Sequence, residues 1–123
     1  MPSADIFMIM EDMGKGTCLR DFELMTLLVV LRLGDDAYGV PIARQIKVHG
    51  RREISLANVY ATLDRLQEKG YVSSKLADPT PERGGRAKRY FSVTAQGLKK
   101  VRETQRILVR LWEGVTELQG EFV

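Results

Sequence analysis

Residues 19–33 form an apolar stretch that limits the folds open to this chain. Hardly any polar face remains when the stretch is read at helical spacing, and its apolar members are Phe22, Leu24, Met25, Leu27, Leu28, Val30 and Leu31. A helix that is apolar on nearly every side has to be largely buried by other elements. Since the chain has only 123 residues, we expect this helix to lie at the centre of a single core.

A second helix is predicted after a short polar turn. Gly34 ends the first helix, Asp35 and Asp36 form the turn, and Tyr38-Gly39 leads into the next helix. Pro41 suits a first helical turn, because proline there gives up an amide that has no intrahelical partner. The helix closes at His49-Gly50, and its apolar positions are Val40, Ile42, Ile46 and Val48.

The third predicted helix, residues 56–69, is amphipathic. Val59, Leu63 and Leu66 recur at helical spacing, whereas the polar residues between them face elsewhere. Ser55 is a candidate N-cap, and Gly70 is placed to end the helix through a left-handed cap.

A hairpin and a long helix complete the predicted order of elements. Residues 71–77 and 88–93 have strand character and flank a loop rich in proline and glycine. Thr94 is expected to cap a last helix that continues to near the C-terminus. Its residues at alternating spacings of three and four form a seam that predicts pairing with a partner helix, and they are Leu98, Val101, Gln105, Leu108, Trp112, Val115, Gln119 and Phe122.

Three helices followed by a two-stranded hairpin is the order of a winged helix-turn-helix domain. The predicted fold class is therefore mainly α with a small β-hairpin, with a winged helix over residues 19–94 and a C-terminal dimerisation helix over 95–123. Residues 1–18 are interpreted as an N-terminal arm, because Gly14 and Gly16 interrupt any helix there. The apolar run 6–10 within the arm leaves two alternatives open, a loose tail or a short helix docked on the body.

Composition excludes several classes of function. The excess of 19 Lys and Arg over 16 Asp and Glu gives a charge of only +3, so the distribution of charge has to indicate any polyanionic partner. The run 6–10 is too short to span a membrane or to act as a secretory signal, and we expect a cytoplasmic protein. Cys18 is the single cysteine and His49 the single histidine, so neither a disulfide nor a zinc site is expected, and no cofactor is implied.

The hairpin tip carries the strongest local signal in the sequence. Its cations are Arg83, Arg86, Lys88 and Arg89, and Gly84 and Gly85 lie among them. Glycines let a backbone approach a phosphate closely, and clustered cations attract the DNA backbone. A solvated loop is the alternative for any basic run, but the position of this loop after a recognition-type helix favours contact with double-stranded DNA.

The third helix carries the candidate groove contacts Ser55, Asn58, Tyr60 and Arg65. Asn58 lies in the first turn, where groove contacts concentrate, and an asparagine can pair bidentately with adenine. Tyr60 is equally compatible with a structural aromatic, and Arg65 with a surface ion pair. A second basic group, Lys47, Arg51 and Arg52, flanks the turn before this helix and is either solvated or in contact with the DNA backbone.

From residue 24 to the last helix, the chain resembles the PadR-like family of transcriptional regulators. The segment from Tyr38 to Ile42 is similar to the family's tyrosine-glycine opening of the second helix. Residues 54–70, with Val59-Tyr60, Leu63, Arg65-Leu66 and Gly70, resemble its recognition helix. Residues 86–97 are similar to its wing strand and to the threonine-to-glycine step into the last helix.

The resemblance implies a homodimer that represses genes by occupying palindromic operators, with dimer contacts from the last helix. It points to Ser55, Asn58 and Tyr60 on the helix and to Arg86 and Lys88 on the wing as DNA contacts. Leu56, Ala57 and Ala61 stand where many members have proline, glycine and proline, and Asn58 stands where threonine or serine is common. The operator sequence therefore cannot be transferred from the family.

Two questions stay open at the level of sequence. Some relatives bind an aromatic effector beside a tryptophan of the last helix, and Trp112 is the counterpart here, although a tryptophan in a seam more often belongs to a dimer core. The seam residues predicted at the dimer interface are Leu98, Val101, Leu108, Trp112, Val115 and Phe122. A winged helix used only for protein-protein contact is the alternative function, whereas nothing in the sequence carries catalysis.

Overall fold

The computed structural model describes residues 19–77 and 87–119. The N-terminal arm, Cys18, the hairpin tip with Arg83 and Arg86, and Phe122 lie outside the described residues. Two short 3-10 turns, Gly34–Asp36 and Thr116–Leu118, accompany the main elements, which are α1 (Asp21–Leu33), α2 (Gly39–His49), α3 (Leu56–Glu68), β1 (Val72–Leu76), β2 (Arg89–Val93) and α4 (Ala95–Glu113). The predicted fold class, mainly helical with one small hairpin, is confirmed.

The core lies where α1, α2, α3 and the hairpin meet. Leu27 of α1, Ile42 of α2 and Leu63 of α3 are fully buried there, and Phe91 of β2 covers the same cluster. Burying a side chain of this size contributes roughly 1.5 to 3 kcal/mol. The predicted apolar spacing is that of the core face in α3, where Val59, Leu63 and Leu66 are all buried. In α2 the prediction holds for Ile42 and Ile46 but is wrong for Val40 and Val48, which are exposed.

Burial of α1 agrees with the expectation only in part. Its core face is buried as predicted, but Leu28 and Leu31 are 43% and 42% exposed, and the fully buried positions include the polar residues Glu23 and Thr26. Most residues of α1 are buried or half-buried, as predicted for a largely buried helix. Among the described residues, Leu28 and Leu31 remain at the surface on a second apolar face of the helix.

The caps of α3 form as the sequence predicts. The Ser55 hydroxyl accepts a hydrogen bond from the Asn58 backbone N–H at 3.1 Å. At the other end, Gly70 has a φ of +83°, a left-handed conformation that a residue with a side chain adopts only at a cost. The Gly70 N–H donates to the Gln67 carbonyl and the Tyr71 N–H to the Leu66 carbonyl, which is the Schellman pattern that satisfies the last carbonyls of a helix.

The hairpin is antiparallel, with Val72 opposite Val93 and Leu76 opposite Arg89. Beyond its own ladder, the Phe91 N–H donates to the Ala37 carbonyl at 2.8 Å. This bond fastens β2 to the segment between α1 and α2. The wing is therefore held on the helical core at its base rather than only through its connection to α3.

The step from the hairpin into α4 is closely packed. The Thr94 hydroxyl donates to the Gly70 carbonyl at 2.6 Å and accepts from the Gly97 N–H at 3.0 Å, which confirms Thr94 as the cap. Gly97 lies against Tyr71, so that a Cβ at this position would overlap the Tyr71 carbonyl oxygen. A residue with no side chain is required at this crossing.

The last helix is shorter than predicted. It ends at Glu113, with Gly114 as its C-cap and Val115 in an extended conformation. Glycine is a poor helix former, and Val115 turns into the 3-10 segment instead of continuing the helix. The expectation that the helix continues through Val115 and Gln119 is therefore wrong.

We predict that Gly97→Ala destabilises the fold by about 2 kcal/mol, the usual scale of overpacking at a site that cannot move. The added methyl meets a backbone atom, so a change of rotamer cannot relieve the overlap. Equilibrium urea unfolding measures the loss. Gly114→Ala is the matched control, because a Cβ there has only an ordinary contact with the Leu111 carbonyl at 3.6 Å; equal losses in the two variants would contradict the prediction.

Candidate nucleic-acid interface

The N-terminal end of α3 presents two of the predicted contact residues at the surface. Ser55 and Asn58 are both exposed. The Ser55 oxygen is used as an acceptor by its cap bond, which leaves the hydroxyl hydrogen for an outside acceptor. Within the described residues, the Asn58 side-chain amide has no hydrogen-bond partner, so its donor and acceptor are both open to a ligand.

Tyr60 is held by packing. Its ring lies 6.4 Å from that of Phe91, and its hydroxyl comes so close to Gly39 that a Cβ there would overlap it. The tyrosine-glycine pair at residues 38–39 therefore opens α2 and also makes room for the ring of α3. The structural interpretation of Tyr60 is supported, and a phosphate contact would have to come from its hydroxyl alone.

Arg65 lies farther along α3, and its side chain contacts other residues of the same chain. Its side chain is 45% exposed, and its Nε lies 3.8 Å from the carboxylate of Glu23. Its Nη2 donates to the Thr62 hydroxyl at 3.1 Å. The alternative of an ion pair, raised from the sequence, is thus realised, although the guanidinium has five N–H donors and keeps some for another acceptor.

Lys88 lies at the base of the wing against two tyrosines. Its Nζ is 4.1 Å from the centroid of the Tyr38 ring, and the Tyr38 and Tyr90 rings meet edge to face at 5.3 Å. A cation over an aromatic face is attracted by about 0.5 to 1 kcal/mol at an exposed site. This contact orients the charge of Lys88 without neutralising it.

Arg89 binds the wing to α3, a role that the sequence analysis did not assign to it. It donates to Asp64 at 3.1 Å and to Gln67 at 2.9 Å, and its guanidinium lies over the Phe91 ring at 4.8 Å. The strand period could have indicated this placement of Arg89. Residues two apart on a strand share a face, and Phe91, two residues later, faces the core. Arg89 thus links the wing directly to α3.

The second basic group is mostly paired. Arg52 donates to Asp21 at 2.9 Å, and Lys47 lies 3.6 Å from Glu53. Arg51 is exposed, with a φ of +51°, which is uncommon for a residue with a side chain. Lys47 and Arg52 thus form surface ion pairs, which neither interpretation of this group had predicted.

The predicted dimer residues divide into two sets. Val101 is buried in its own chain at 8% exposure, and Leu98 is half-buried, whereas Leu108, Trp112 and Val115 are exposed. With α1, α4 forms an apolar groove of about 350 Å³. The groove is lined by Leu24, Leu28, Val101, Gln105, Leu108, Val109 and Trp112.

Residues 19–77 and 87–119 contain neither a metal-binding cluster nor a membrane-spanning helix. No cluster of three or more histidine, cysteine, aspartate or glutamate side chains there could hold a metal ion. In the same ranges, no helix has the length and apolar character needed to cross a membrane.

Comparison with known proteins identifies a family. The family model described as "Transcriptional regulator PadR-like family" matches residues 27–103, which include α1 from its second turn, the whole hairpin and the first half of α4. None of the curated proteins compared with the chain matches it.

Several solved structures share the fold. A PadR-like transcriptional regulator from Bacillus cereus is 22% identical with a TM-score of 0.64, covering 80% of this chain and 92% of that one. A PadR family regulator from Eggerthella lenta is 22% identical with a TM-score of 0.61, covering 96% and 95%. PadR from Bacillus subtilis in complex with operator DNA is 17% identical with a TM-score of 0.59, covering 70% and 48%.

We predict that Arg52→Gln raises the pKa of Asp21. The hydrogen bond from Arg52, a second one from the Phe22 N–H and the charge of Arg52 hold the pKa of this carboxyl below its ordinary value. The pair therefore favours folding above the ordinary pKa, and its contribution is lost as the pH falls through the lowered one. An NMR titration of the Asp21 carboxyl carbon measures the change.

Lys47→Gln is the matched control for this titration, because it removes a cation of the same basic group that pairs with Glu53 instead. It should leave the pKa of Asp21 unchanged. An Asp21 titration that is the same in Arg52→Gln as in the wild type would contradict the prediction.

Proposed function

The chain belongs to the PadR-like family of transcriptional regulators, and we propose that it binds double-stranded DNA as a cytoplasmic homodimer and represses genes by occupying a palindromic operator. In this proposal residues 19–94 bind DNA and the C-terminal part pairs the subunits. Two copies of α3 would enter successive major grooves about 34 to 36 Å apart. Repression then follows from occlusion of the operator.

The exposed N-terminal end of α3 is the observation that carries the proposal. Asn58 offers an amide without a partner within the described residues, in the helical turn that docks against base edges in proteins of this architecture. Ser55 lies beside it with a hydroxyl hydrogen to donate, as phosphate contacts require. Their position in the first turn of α3, rather than their exposure alone, supports the proposal.

The wing supplies the second half of the proposed interface. Arg89 holds the wing on α3 through Asp64 and Gln67, so the two DNA-facing elements form one rigid unit. Lys88 supplies a charge that its tyrosine contact leaves in place. Arg83 and Arg86 belong to the proposed wing contacts on the strength of their sequence, as Tyr60 and Arg65 do on the helix.

The uncovered apolar groove supports the proposed dimer. Leu28 and Leu31 of α1 and Leu108 and Trp112 of α4 are all exposed, and a contiguous apolar surface of this kind marks an interaction site. A second copy would bury it with the same residues on both sides, as a two-fold interface requires. A small aromatic effector stacked on Trp112 is the second candidate occupant, favoured by the size of the groove.

We predict that Asn58→Ala changes the preference among DNA sequences by about 1 to 3 kcal/mol, because it removes a base contact. In contrast, Lys88→Ala should weaken binding to every sequence and flatten the slope of log affinity against log salt by about one unit, because it removes a phosphate contact. Selection from random duplexes followed by binding titrations at several salt concentrations measures both.

Lys99→Ala is the matched control, since it removes an exposed cation from α4 and should leave the salt slope unchanged. An even loss over all sequences for Asn58→Ala would make that residue a phosphate contact. If the wild-type protein does not bind random duplex DNA at low salt, the alternative function, a winged helix used only for protein-protein contact, is correct instead.

We predict that Leu108→Lys weakens dimerisation at least tenfold, about 1.4 kcal/mol, because it places a charge in the proposed apolar interface. Sedimentation equilibrium measures the dissociation constant. Leu76→Lys is the control, because Leu76 is an exposed leucine of the wing and its replacement should not affect pairing. A wild-type monomer whose Trp112 fluorescence responds to aromatic compounds would identify the effector as the occupant of the groove.

A further inference from the structure

Glu23 is a buried glutamate that has no role in the proposed DNA contacts or in the proposed dimer interface. It lies in the first turn of α1 with only 1% of its surface exposed. One carboxylate oxygen accepts the Arg20 N–H at 2.9 Å. Lys69 donates to both oxygens, at 3.0 and 2.9 Å, and the Nε of Arg65 lies 3.8 Å away. A buried carboxylate is expensive unless it is paired in this way.

Both cations come from the end of the recognition helix. Lys69 is the C-cap of α3, and Arg65 lies one turn earlier. The first turn of α1 therefore holds the C-terminal end of α3 by charge, while apolar packing holds its middle. Glu23 is the only residue through which these two helix ends share an ion pair among the described residues.

The two cations differ in what they offer. Lys69 is 17% exposed, whereas Arg65 is 45% exposed. The less exposed Lys69 is therefore placed to balance the buried charge of Glu23. The more exposed Arg65 extends from this carboxylate to the surface of α3. Removal of Arg65 would still leave Glu23 paired, so the stability of the fold does not require this second contact.

From Arg65 the contacts continue towards the proposed groove face. Its Nη2 donates to the Thr62 hydroxyl at 3.1 Å, and that hydroxyl donates to the Asn58 carbonyl at 2.9 Å. The hydrogen bond from Nη2 to Thr62 and the longer ion pair of Nε with Glu23 both restrict the plane of the guanidinium, which still has N–H donors to spare. Glu23 and Thr62 together thus determine where the remaining donors of Arg65 point.

We propose that Glu23 is a positioning residue for DNA recognition, which orients the Arg65 guanidinium on the recognition helix and so contributes to discrimination between operator and random DNA. The inference rests on the proposed function. It assigns Glu23 a role in specificity that is separate from its contribution to stability. Because a charge pair with Lys69 alone satisfies the buried carboxylate, the two roles can be separated by mutation.

The test compares Glu23→Gln, Lys69→Met and the double variant in urea unfolding and in binding to the selected operator and to random duplex DNA. Glu23→Gln leaves cations without their carboxylate and should be less stable. The double variant replaces the ion pair by neutral groups, which proteins often tolerate, and should recover most of the stability. Its discrimination should nevertheless remain about tenfold below that of the wild type, because Arg65 has lost the ion pair that orients its guanidinium.

Two further variants sharpen the result. Lys69→Met alone keeps the contact between Glu23 and Arg65, so its discrimination should stay within about twofold of the wild type, below the scale of one hydrogen bond. Arg65→Gln should cause the tenfold loss in the wild-type background and no further loss in the double variant, because residues that act through one contact are not additive. Discrimination that recovers together with stability in the double variant would overturn the proposal.

If the double variant does not fold, NMR of the wild-type side chains tests whether the Arg65 guanidinium is held in place. The Arg65 Nε–H should show a rigid heteronuclear NOE, whereas Arg106, an exposed arginine of α4, should be mobile. Equal mobility of the two would overturn the proposal. A wild-type protein that binds no duplex at low salt would overturn the proposed function instead, whereas operator binding with full discrimination in the double variant would overturn only the role of Glu23.

Discussion

The packing of α1 determines how the other elements are arranged. Its core face brings Leu27 against residues of α2 and α3, and the wing strand covers the same cluster through Phe91. The helix is also apolar on a second face, where Leu28 and Leu31 remain exposed among the described residues. One element thus serves two surfaces, because it packs against α3 on one side and forms a wall of the exposed groove on the other.

Polar contacts give this packing its direction. Apolar side chains alone would let α3 shift or rotate on α1, since hydrophobic contacts have little directionality. Three sets of bonds prevent this, namely Glu23 with the end of α3, Arg89 between the wing and α3, and the Phe91 N–H with the Ala37 carbonyl. Directional contacts of this kind suit the proposed recognition surface, because a contact displaced by an ångström loses much of its specificity.

The family resemblance and the physics of the site agree where both can be applied. Membership of a transcriptional regulator family rests on residues 27–103 and excludes the enzyme interpretation on independent grounds. The open amide of Asn58 and the contact of Lys88 with the Tyr38 ring are observed in this chain itself and do not depend on the resemblance. Since Asn58 stands where the family more often has threonine or serine, the chemistry at the groove face is expected to differ from that of its relatives.

The sequence by itself determined the order of the elements and the caps that separate them. Ser55, Gly70 and Thr94 act through bonds to residues a few positions away, and local chemistry of this kind can be derived without a fold. Only the tertiary structure decided that Leu28 stays exposed, that Glu23 is buried with Lys69, and that Arg89 binds α3. These contacts join residues far apart in the chain, and several of them reverse the usual preference of the side chain for water or core, so no local pattern indicates them.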